Sequence, residues 1–493
     1  MSLHTDSLSV VASTDDSSHS DVAQAAAAEA TTAQAPTEQD ASALRAMTGP
    51  VTIHLPGDPG YDGARAMWNT SVDLYPAAVA EPTTALQVSD VVTAARRLGL
   101  RVAPVSTGHN AGPLVQHDLS STVLLTMSRM TAVSVDPSSA AAHVQGGALW
   151  GDVIEAAGHH GLACLHGSSP DVGVGGYLLG GGIFLYGRRL GMATNSLTGV
   201  EIVLADGSLI RADHSQHQSL FWALRGGGGN FGIVTSFEFS LYPIASVHAG
   251  MMVWDIDDAE RVIRAWAHWA PGAPDEITTS MRILNLPDAP EVPGAVRGRP
   301  VVCLDGAVLG PEDRAQKTLD PLRRLRPEVD TFAQVPPWSL ARLHMDPEGP
   351  TPVVGDSTLL GTMPDEAVDA FLSQVGPGTE HVLLTAELRQ LGAALSRRHP
   401  EGGAMNRLDG NFMLFGAAVA DTPENRSRGH ADALSLVQAM SPWSTGKQYL
   451  NFAEAPVDPE LSYGDREWLT LTRVKSVYDP DDVFAANHPV PPA

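Results

Sequence analysis

Apolar positions recur along this chain with two periods, and glycine-rich stretches separate the segments they define. Val88, Val91, Val92, Ala95 and Leu98 share one helical face and predict a helix over residues 82–100. A short strand at 100–105 follows, then strands at 123–127 and 142–145, and a helix at 149–157 closed by Gly158. Residues 200–204 and 208–211 flank Asp206-Gly207, the signature of a hairpin, and 237–241 alternates like a further strand. Beyond residue 245, strand-like runs at 249–254, 278–284, 300–308 and 381–388 are interspersed with helical runs at 259–269, 311–325, 364–374 and 427–440. That pattern predicts an antiparallel sheet covered by helices.

The first 45 residues carry no such pattern. They contain no aromatic residue, seven acids and one basic residue, Arg45, and half of positions 21–36 are alanine. With no apolar stripe to bury, residues 1–45 are predicted to be a solvated, disordered tail, with ordered sequence beginning near Val51. The start lacks the basic and apolar regions of a secretory signal, and no run of about 18 apolar residues occurs. A cytoplasmic protein is expected.

Charge narrows the partners. The 493 residues carry 31 basic and 56 acidic side chains, a formal charge of −25. Such a balance argues against a duplex nucleic-acid binder, which needs cations to displace phosphate counterions, and against an anionic membrane surface. Two cysteines, Cys164 and Cys303, exclude a disulfide scaffold and a Cys-only zinc centre, and are read as free buried thiols. The pairs His159-His160 and His214/His217 have no matching carboxylate cluster, so no metal site is expected. The oligomeric state is not written in these features.

The candidate chemistry lies in loops. Between 167 and 232, 16 of 66 residues are glycine, against 47 of 493 overall. Backbone there either turns with positive φ or approaches something closely. Glycine-rich turns joining β segments suit a cradle of N–H groups for a pyrophosphate. Neither glycine run is a Rossmann fingerprint at a first strand–helix turn, and none is followed by the Lys-Ser/Thr of a Walker loop.

Taken together, the motifs resemble one family. Pro104-Val105-Ser106-Thr107-Gly108-His109-Asn110-Ala111-Gly112 resembles the Gly-His loop of berberine bridge enzyme-like FAD-linked oxidases, members of the vanillyl-alcohol oxidase superfamily with a PCMH-type flavin domain. Ser169-Pro170-Asp171-Val172-Gly173-Val174-Gly175-Gly176-Tyr177, through Gly182, resembles the group's second flavin loop. Arg225 to Thr235, with Gly232 and Val234, is similar to its third signature. Tyr449-Leu450-Asn451-Phe452, Tyr463-Gly464, Val474-Lys475 and Tyr478-Asp479-Pro480 resemble the C-terminal elements, and all occur in family order across residues 75–490.

The resemblance implies an α+β protein, a split two-domain PCMH-type FAD-binding fold with an antiparallel-sheet substrate domain covered by helices. It implies a flavin domain at 46–245, a substrate domain at 246–445, and a segment at 446–493 that returns to the flavin domain. FAD contacts are implied at Val105, Ser106, Thr107, Gly108, His109, Asn110, Ser169, Pro170, Val172, Gly173, Gly175, Gly176, Tyr177, Gly182, Gly232, Val234, Tyr449 and Asn451. His109 is the implied covalent attachment point. Relatives make a second link through a cysteine where this chain has Ser169, so one covalent bond is expected. Relatives often carry histidine where this chain has Tyr177, which supplies a hydrogen bond but no charge. Val172 matches a position where valine admits dioxygen.

On the strand at 383–390, alternation places Thr385, Glu387 and Arg389 on one face. A polar face in a buried sheet lines a cavity or is paired; a Glu387–Arg389 ion pair on a solvated face is the competing reading. Sugar-oxidising relatives use a tyrosine as base where this chain has Phe452, so the remaining candidates for proton acceptor are Tyr449, Glu387 and Asn451, and Glu387, Tyr449 and Arg389 are taken as the catalytic residues. Glu387 is favoured as base if burial raises its pKa. Trp254, Trp266, Trp269, Trp338 and Trp443, although most are expected in the core, suggest a hydrophobic substrate. The expected activity is dehydrogenation of a lipophilic, secondary-metabolite-like alcohol or amine, with dioxygen giving hydrogen peroxide. A dehydrogenase feeding a carrier protein, or a flavin-containing binding or resistance protein, are the alternatives.

Overall fold

The computed structural model describes residues 38–290, 292–294 and 296–493, without the side chains of residues 38–40. Residues 1–37 of the predicted tail lie outside the described residues. Three sheets build the fold. In the first, β1 (Thr52–His54), β2 (Ala78–Glu81), β3 (Arg101–Val105) and β4 (Thr122–Thr126) lie in the order β1-β2-β4-β3. The β2–β4 and β3–β4 pairs are parallel, and the Ala85–Arg97 helix makes the crossover from β2 to β3. Thr84 starts that helix by accepting from the Gln87 N–H, and Val88, Val91, Val92 and Ala95 are its buried face.

A second, antiparallel sheet has the order β5-β6-β9-β7-β8, from β5 (Val133–Asp136), β6 (Ala141–Gln145), β7 (Leu197–Val203), β8 (Leu209–Asp213) and β9 (Ile233–Ser240). Between β6 and β7 the chain leaves the sheet for the glycine-rich second loop and a short helix, Val174–Leu179.

The third sheet contains β10 (Val247–Asp255), β11 (Ile277–Asn285), β12 (Pro300–Val308), β13 (Val329–Asp330), β14 (Ala333–Val335), β15 (Val353–Leu360), β16 (Thr385–Gln390) and β17 (Phe412–Val419). Its order is β13-β10-β12-β11-β16-β17-β15, with β14 also on β10, and every pair is antiparallel. Cross-strand register gives the sheet two unlike faces. Met281, Ile283, Leu304, Ala386, Leu388 and Leu414 pack against the helices Ala259–Trp269, Asp365–Val375 and Pro423–Ala439. The other face carries Ser280, Arg282, Asp305, Thr385, Glu387 and Arg389, with Arg282 opposite Glu387 and Ser280 opposite both Asp305 and Arg389.

The C-terminal segment returns to the first two sheets. Val102 N–H donates to the Val483 carbonyl at 2.8 Å, and Ala485 N–H to the Val102 carbonyl at 2.9 Å. Lys475 Nζ donates to the Asn230 carbonyl at 2.9 Å and to Asp479 at 2.6 Å, both side chains buried. Asn230 also receives the Val490 N–H at 2.8 Å.

Three features differ from the sequence reading. Residues 38–47 are a helix, not the end of a disordered tail: Leu44 is fully buried beside Val88 and Val91, so one apolar side chain anchors what composition alone leaves unattached. β15 and β17 were not anticipated, because both are buried and lack clear alternation. The five tryptophans do not line the cavity described below. Trp254 and Trp266 are buried on the helix side of the third sheet, and Trp338 is exposed, so they say nothing about substrate.

Candidate functional site

A cavity of about 400 Å³ lies between the glycine loops and the polar face of the third sheet. The first loop leaves β3 at Ser106. Gly108 has φ of +79°, a conformation that favours glycine, and a side chain there would strike Met67. The second loop is pressed against the first: a Cβ on Gly173 would collide with Ser106 Oγ. Val105, Ser106, Thr107, Gly108, His109, Asn110, Ser169, Val172, Gly173, Gly175, Gly176, Tyr177, Gly232, Val234 and Asn451 all line this cavity. Pro170, Gly182 and Tyr449 lie outside this lining. Pro170 instead packs its backbone on Gly151, and Tyr449 is buried behind Asn451, with Asn451 Nδ2 3.3 Å from its hydroxyl. Burial raises the Tyr449 hydroxyl well above the tyrosine range, and it is withdrawn from the cavity, so it is not placed to take a proton there.

His109 is held on three sides. Its ring stacks on Trp68, with centroids 3.9 Å apart and planes inclined by 18°. Its Nε2 lies 3.1 Å from the Asp171 carbonyl oxygen and 3.5 Å from the Asp171 carboxylate. A carbonyl oxygen only accepts, so Nε2 carries hydrogen and Nδ1 keeps its lone pair in the neutral ring. The Asp171 carboxylate also receives Trp68 Nε1–H at 2.7 Å, Ser169 Oγ–H at 2.6 Å and Gly349 N–H at 2.7 Å. Partial burial would raise this carboxyl, but His109, Ser169, Gly349 and Trp68 outweigh it and hold it well below the usual range. Tyr177 donates its hydroxyl to the His166 carbonyl at 2.8 Å and presents only its ring to the cavity.

At the opposite end the sheet contributes Arg282, Glu387 and Arg389, and a loop contributes His344 and Asp346. Glu387 is 1 % exposed. It accepts from Ser280 Oγ at 2.7 Å and from Arg389 Nε at 2.7 Å, and faces His344 Nε2 at 3.5 Å. Desolvation works to raise its pKa, yet Arg389 and His344 overcome that and hold the carboxyl well below its ordinary value. The expected raised pKa is therefore corrected: Glu387 is a buried, ionised carboxylate, not a neutral one. The ion pair with Arg389 exists, but it faces a cavity and not solvent. The Arg389 guanidinium lies between the rings of Phe184 and Phe452, 5.7 and 5.0 Å from their centroids. Phe452 thus serves partly as a cation platform.

Several functional-looking residues escaped the sequence reading. Arg282 and Asp305 are each a lone charge in an apolar strand, and adjacent strands with opposite lone charges are a legible signal. Trp68, His344, Glu454 and His488 sit in segments without periodicity, and no local pattern marks them.

The cavity suits a large polar cofactor. Ser106 Oγ, Asn110 Oδ1, Arg282 Nε, Thr385 Oγ1, Glu454 Oε2 and His488 Nε2 are buried polar atoms on its wall without a hydrogen-bond partner. Buried polar atoms are rarely left unsatisfied, so a ligand's own polar groups fit here. The glycine loops leave their backbone close to the same space.

Comparison with known proteins agrees. Residues 76–213 match a family model described as an FAD binding domain. The chain is 26 % identical over 447 residues to the FAD-linked oxidoreductase YgaK of Bacillus subtilis, covering 88 % of this chain and 95 % of YgaK. It is 25 % identical over 446 residues to a chitooligosaccharide oxidase of Gibberella zeae, covering 85 % and 87 %. The solved structure of Physcomitrella patens BBE-like 1 shares the fold, with a TM-score of 0.79 at 20 % identity over 92 % of this chain and 99 % of that one. Fold and site define an FAD-linked oxidoreductase. The chain carries an FAD binding domain and shares the fold of berberine bridge enzyme-like structures. Among the described residues, no helix is long and apolar enough to cross a membrane.

Proposed function

We propose that this protein oxidises a lipophilic, secondary-metabolite-like alcohol or amine, with FAD attached through His109 alone, and that dioxygen is the final acceptor, giving hydrogen peroxide. The observation that carries this reading is one continuous cavity with glycine loops at one end and an ionised, desolvated carboxylate, Glu387, at the other. Bound FAD supplies a two-electron acceptor for hydride leaving carbon. The first and second loops, with Asn110 and His488, would hold it. Glu387 then takes the O–H or N–H proton of the substrate, already in the form that accepts one. Arg389 keeps that carboxylate charged and in place. Leu284, Leu286, Met345, Leu384 and Val419 give the wall an apolar flank that excludes water and suits a lipophilic body. Ser169 supports a single covalent bond, since it has no thiol and its hydroxyl is committed to Asp171. Val172 on the wall supports access for dioxygen.

The test is Glu387→Gln. Purified protein is mixed anaerobically with a panel of aryl-alkyl alcohols and amines, and bleaching of the flavin absorbance is followed. Loss of the base lowers the reduction rate on the order of 10²–10⁴-fold with flavin content unchanged. An unchanged rate in Glu387→Gln overturns the role of Glu387. Reduction that is not followed by rapid reoxidation and peroxide release in air overturns the oxidase assignment in favour of a carrier-linked dehydrogenase.

A further inference from the structure

The charged groups behind Glu387 form a chain with an inner, closed end. Asp305 on β12 is fully buried and does not line the cavity. One of its oxygens is paired with Arg282, and the other lies 3.1 Å from His344 Nδ1. The opposite ring nitrogen, Nε2, faces the Glu387 carboxylate at 3.5 Å. An ionised carboxylate accepts and does not donate, so Nδ1 carries hydrogen toward Asp305, and the Glu387 carboxylate beside Nε2 is placed to accept a second hydrogen from the doubly protonated ring. Phe184 meets the ring edge-on, with centroids 6.1 Å apart. The next residue, Met345, has φ of +58°, a left-handed conformation uncommon for a side-chain-bearing residue. Such backbone persists where surrounding structure demands it, and here it turns the chain directly after His344.

We propose that His344 and Asp305 are positioning residues for Glu387: Asp305 orients the His344 imidazolium, and the imidazolium holds the Glu387 carboxylate against the cavity. The idea deepens the proposed function, since it rests on Glu387 as the proton acceptor. Every charged or hydrogen-bonding group around Glu387 enters the balance. Arg282 lies opposite on β11, Ser280 donates from the same strand, Arg389 pairs along β16, and Asp346 faces in from the loop where its carboxylate accepts from Ser168. Thr385 lies two residues away on the same face of β16, and the buried Tyr177 and Tyr449 hydroxyls lie within the field of Arg389. Arg389 Nη2 is also 3.4 Å from His344 Nε2, a like-charge contact that is tolerable only with Glu387 beside both cations. Burial and Arg282 alone would lower the His344 pKa, but Asp305, Glu387 and Asp346 push it up to about 9.

The experiment is an infrared pH titration of the flavin-loaded protein, with the Glu387 carboxylic-acid band identified by its absence in Glu387→Gln. In His344→Gln, loss of the neighbouring cation raises the pH at which that band appears by about one unit or more, a tenfold change in proton affinity. A band midpoint that does not move overturns the proposal. A merely structural histidine would leave it in place. The wild-type protein provides a second reading that needs no variant to fold: nitrogen NMR of labelled histidine should show the His344 ring doubly protonated at pH 7, and a singly protonated ring overturns the proposal. Neither measurement involves substrate, so failure of Glu387 as the base, read from flavin reduction, remains distinct from failure of the His344 hold.

Discussion

Replacing Lys475 by methionine keeps the length of the side chain and removes its charge, which makes it a sharp probe of how the C-terminal segment is locked to the flavin loops. Lys475 and Asp479 side chains are 1 % and 0 % exposed, and the ammonium donates to Asp479 at 2.6 Å and to the Asn230 carbonyl at 2.9 Å. A third contact, to Asp482 at 2.9 Å, involves a carboxylate that is 45 % exposed and adds little. In Lys475→Met, Asp479 keeps the Val483 and Phe484 N–H groups at 2.8 and 3.0 Å but loses its only buried counter-charge among the described residues. Removing one member of a buried pair typically costs about 3–5 kcal/mol, because the survivor is a charge without compensation. The Asn230 carbonyl, stripped of its donor, adds on the order of 1 kcal/mol. Guanidinium unfolding followed by circular dichroism measures the loss, and flavin fluorescence reports whether the third loop loosens at lower denaturant. The double variant Lys475→Met/Asp479→Asn should recover part of the stability, since no bare charge remains. A loss below about 1 kcal/mol in the single variant, or strictly additive effects in the double, would refute the reasoning.

Three further outcomes are expected. His109→Ala should leave no FAD mass on the denatured protein, whereas the unsubstituted protein carries one; an adduct that survives the substitution points to another attachment site. Glu454→Gln should raise the unfolding midpoint at pH 8 and leave it unchanged at pH 4: burial pushes this carboxyl up to about 7 from an ordinary 4.5, so the folded state holds a proton that the unfolded state has released. Stability therefore falls as pH rises between those values, by roughly 1–3 kcal/mol, and equal midpoints at both pH values would contradict it. Gly173→Ala has an ordinary backbone φ of −69° but sets its methyl against Ser106, 3.0 Å from that Cβ, so it should cost about 1–3 kcal/mol and weaken flavin retention. Ser106→Gly in the same background should restore both, and unaltered retention in Gly173→Ala alone would mean the two loops are not in contact.

Much of this architecture is legible from period and glycine content. The helix carrying Val88, Val91, Val92 and Ala95 and the hairpin around Asp206-Gly207 both lie where their patterns put them, because local spacing determines which face is buried. Alternation also placed Thr385, Glu387 and Arg389 on one face, and that face does line the cavity. The ionisation of Glu387 was not legible. It depends on His344, which arrives from a loop 43 residues away in sequence, and on Arg389 being closed off from water by Phe184 and Phe452. Burial argues for a raised pKa and counter-charge argues for a lowered one; only the assembled geometry decides between them. β15 and β17 escaped for a related reason, since runs such as Phe412-Met413-Leu414-Phe415 are apolar on both faces and carry no period to read.

The return of the chain from Lys475 to Val490 onto Asn230 has a consequence for biogenesis. Asn230 gives its backbone oxygen to Lys475, its side-chain oxygen to the Val490 N–H and its amide to the Gly227 and His488 carbonyls. On a ribosome adding about 5–20 residues per second, roughly 10–50 s separate the synthesis of the third glycine loop from that of the residues that brace it. Throughout that interval the loops that line one end of the cavity stand without their C-terminal supports, and the apolar flank of the cleft faces water. Secure capture of the flavin is thereby a late event, one that follows translation of the whole segment, and the supply of cofactor and the yield of folded protein become coupled at that step.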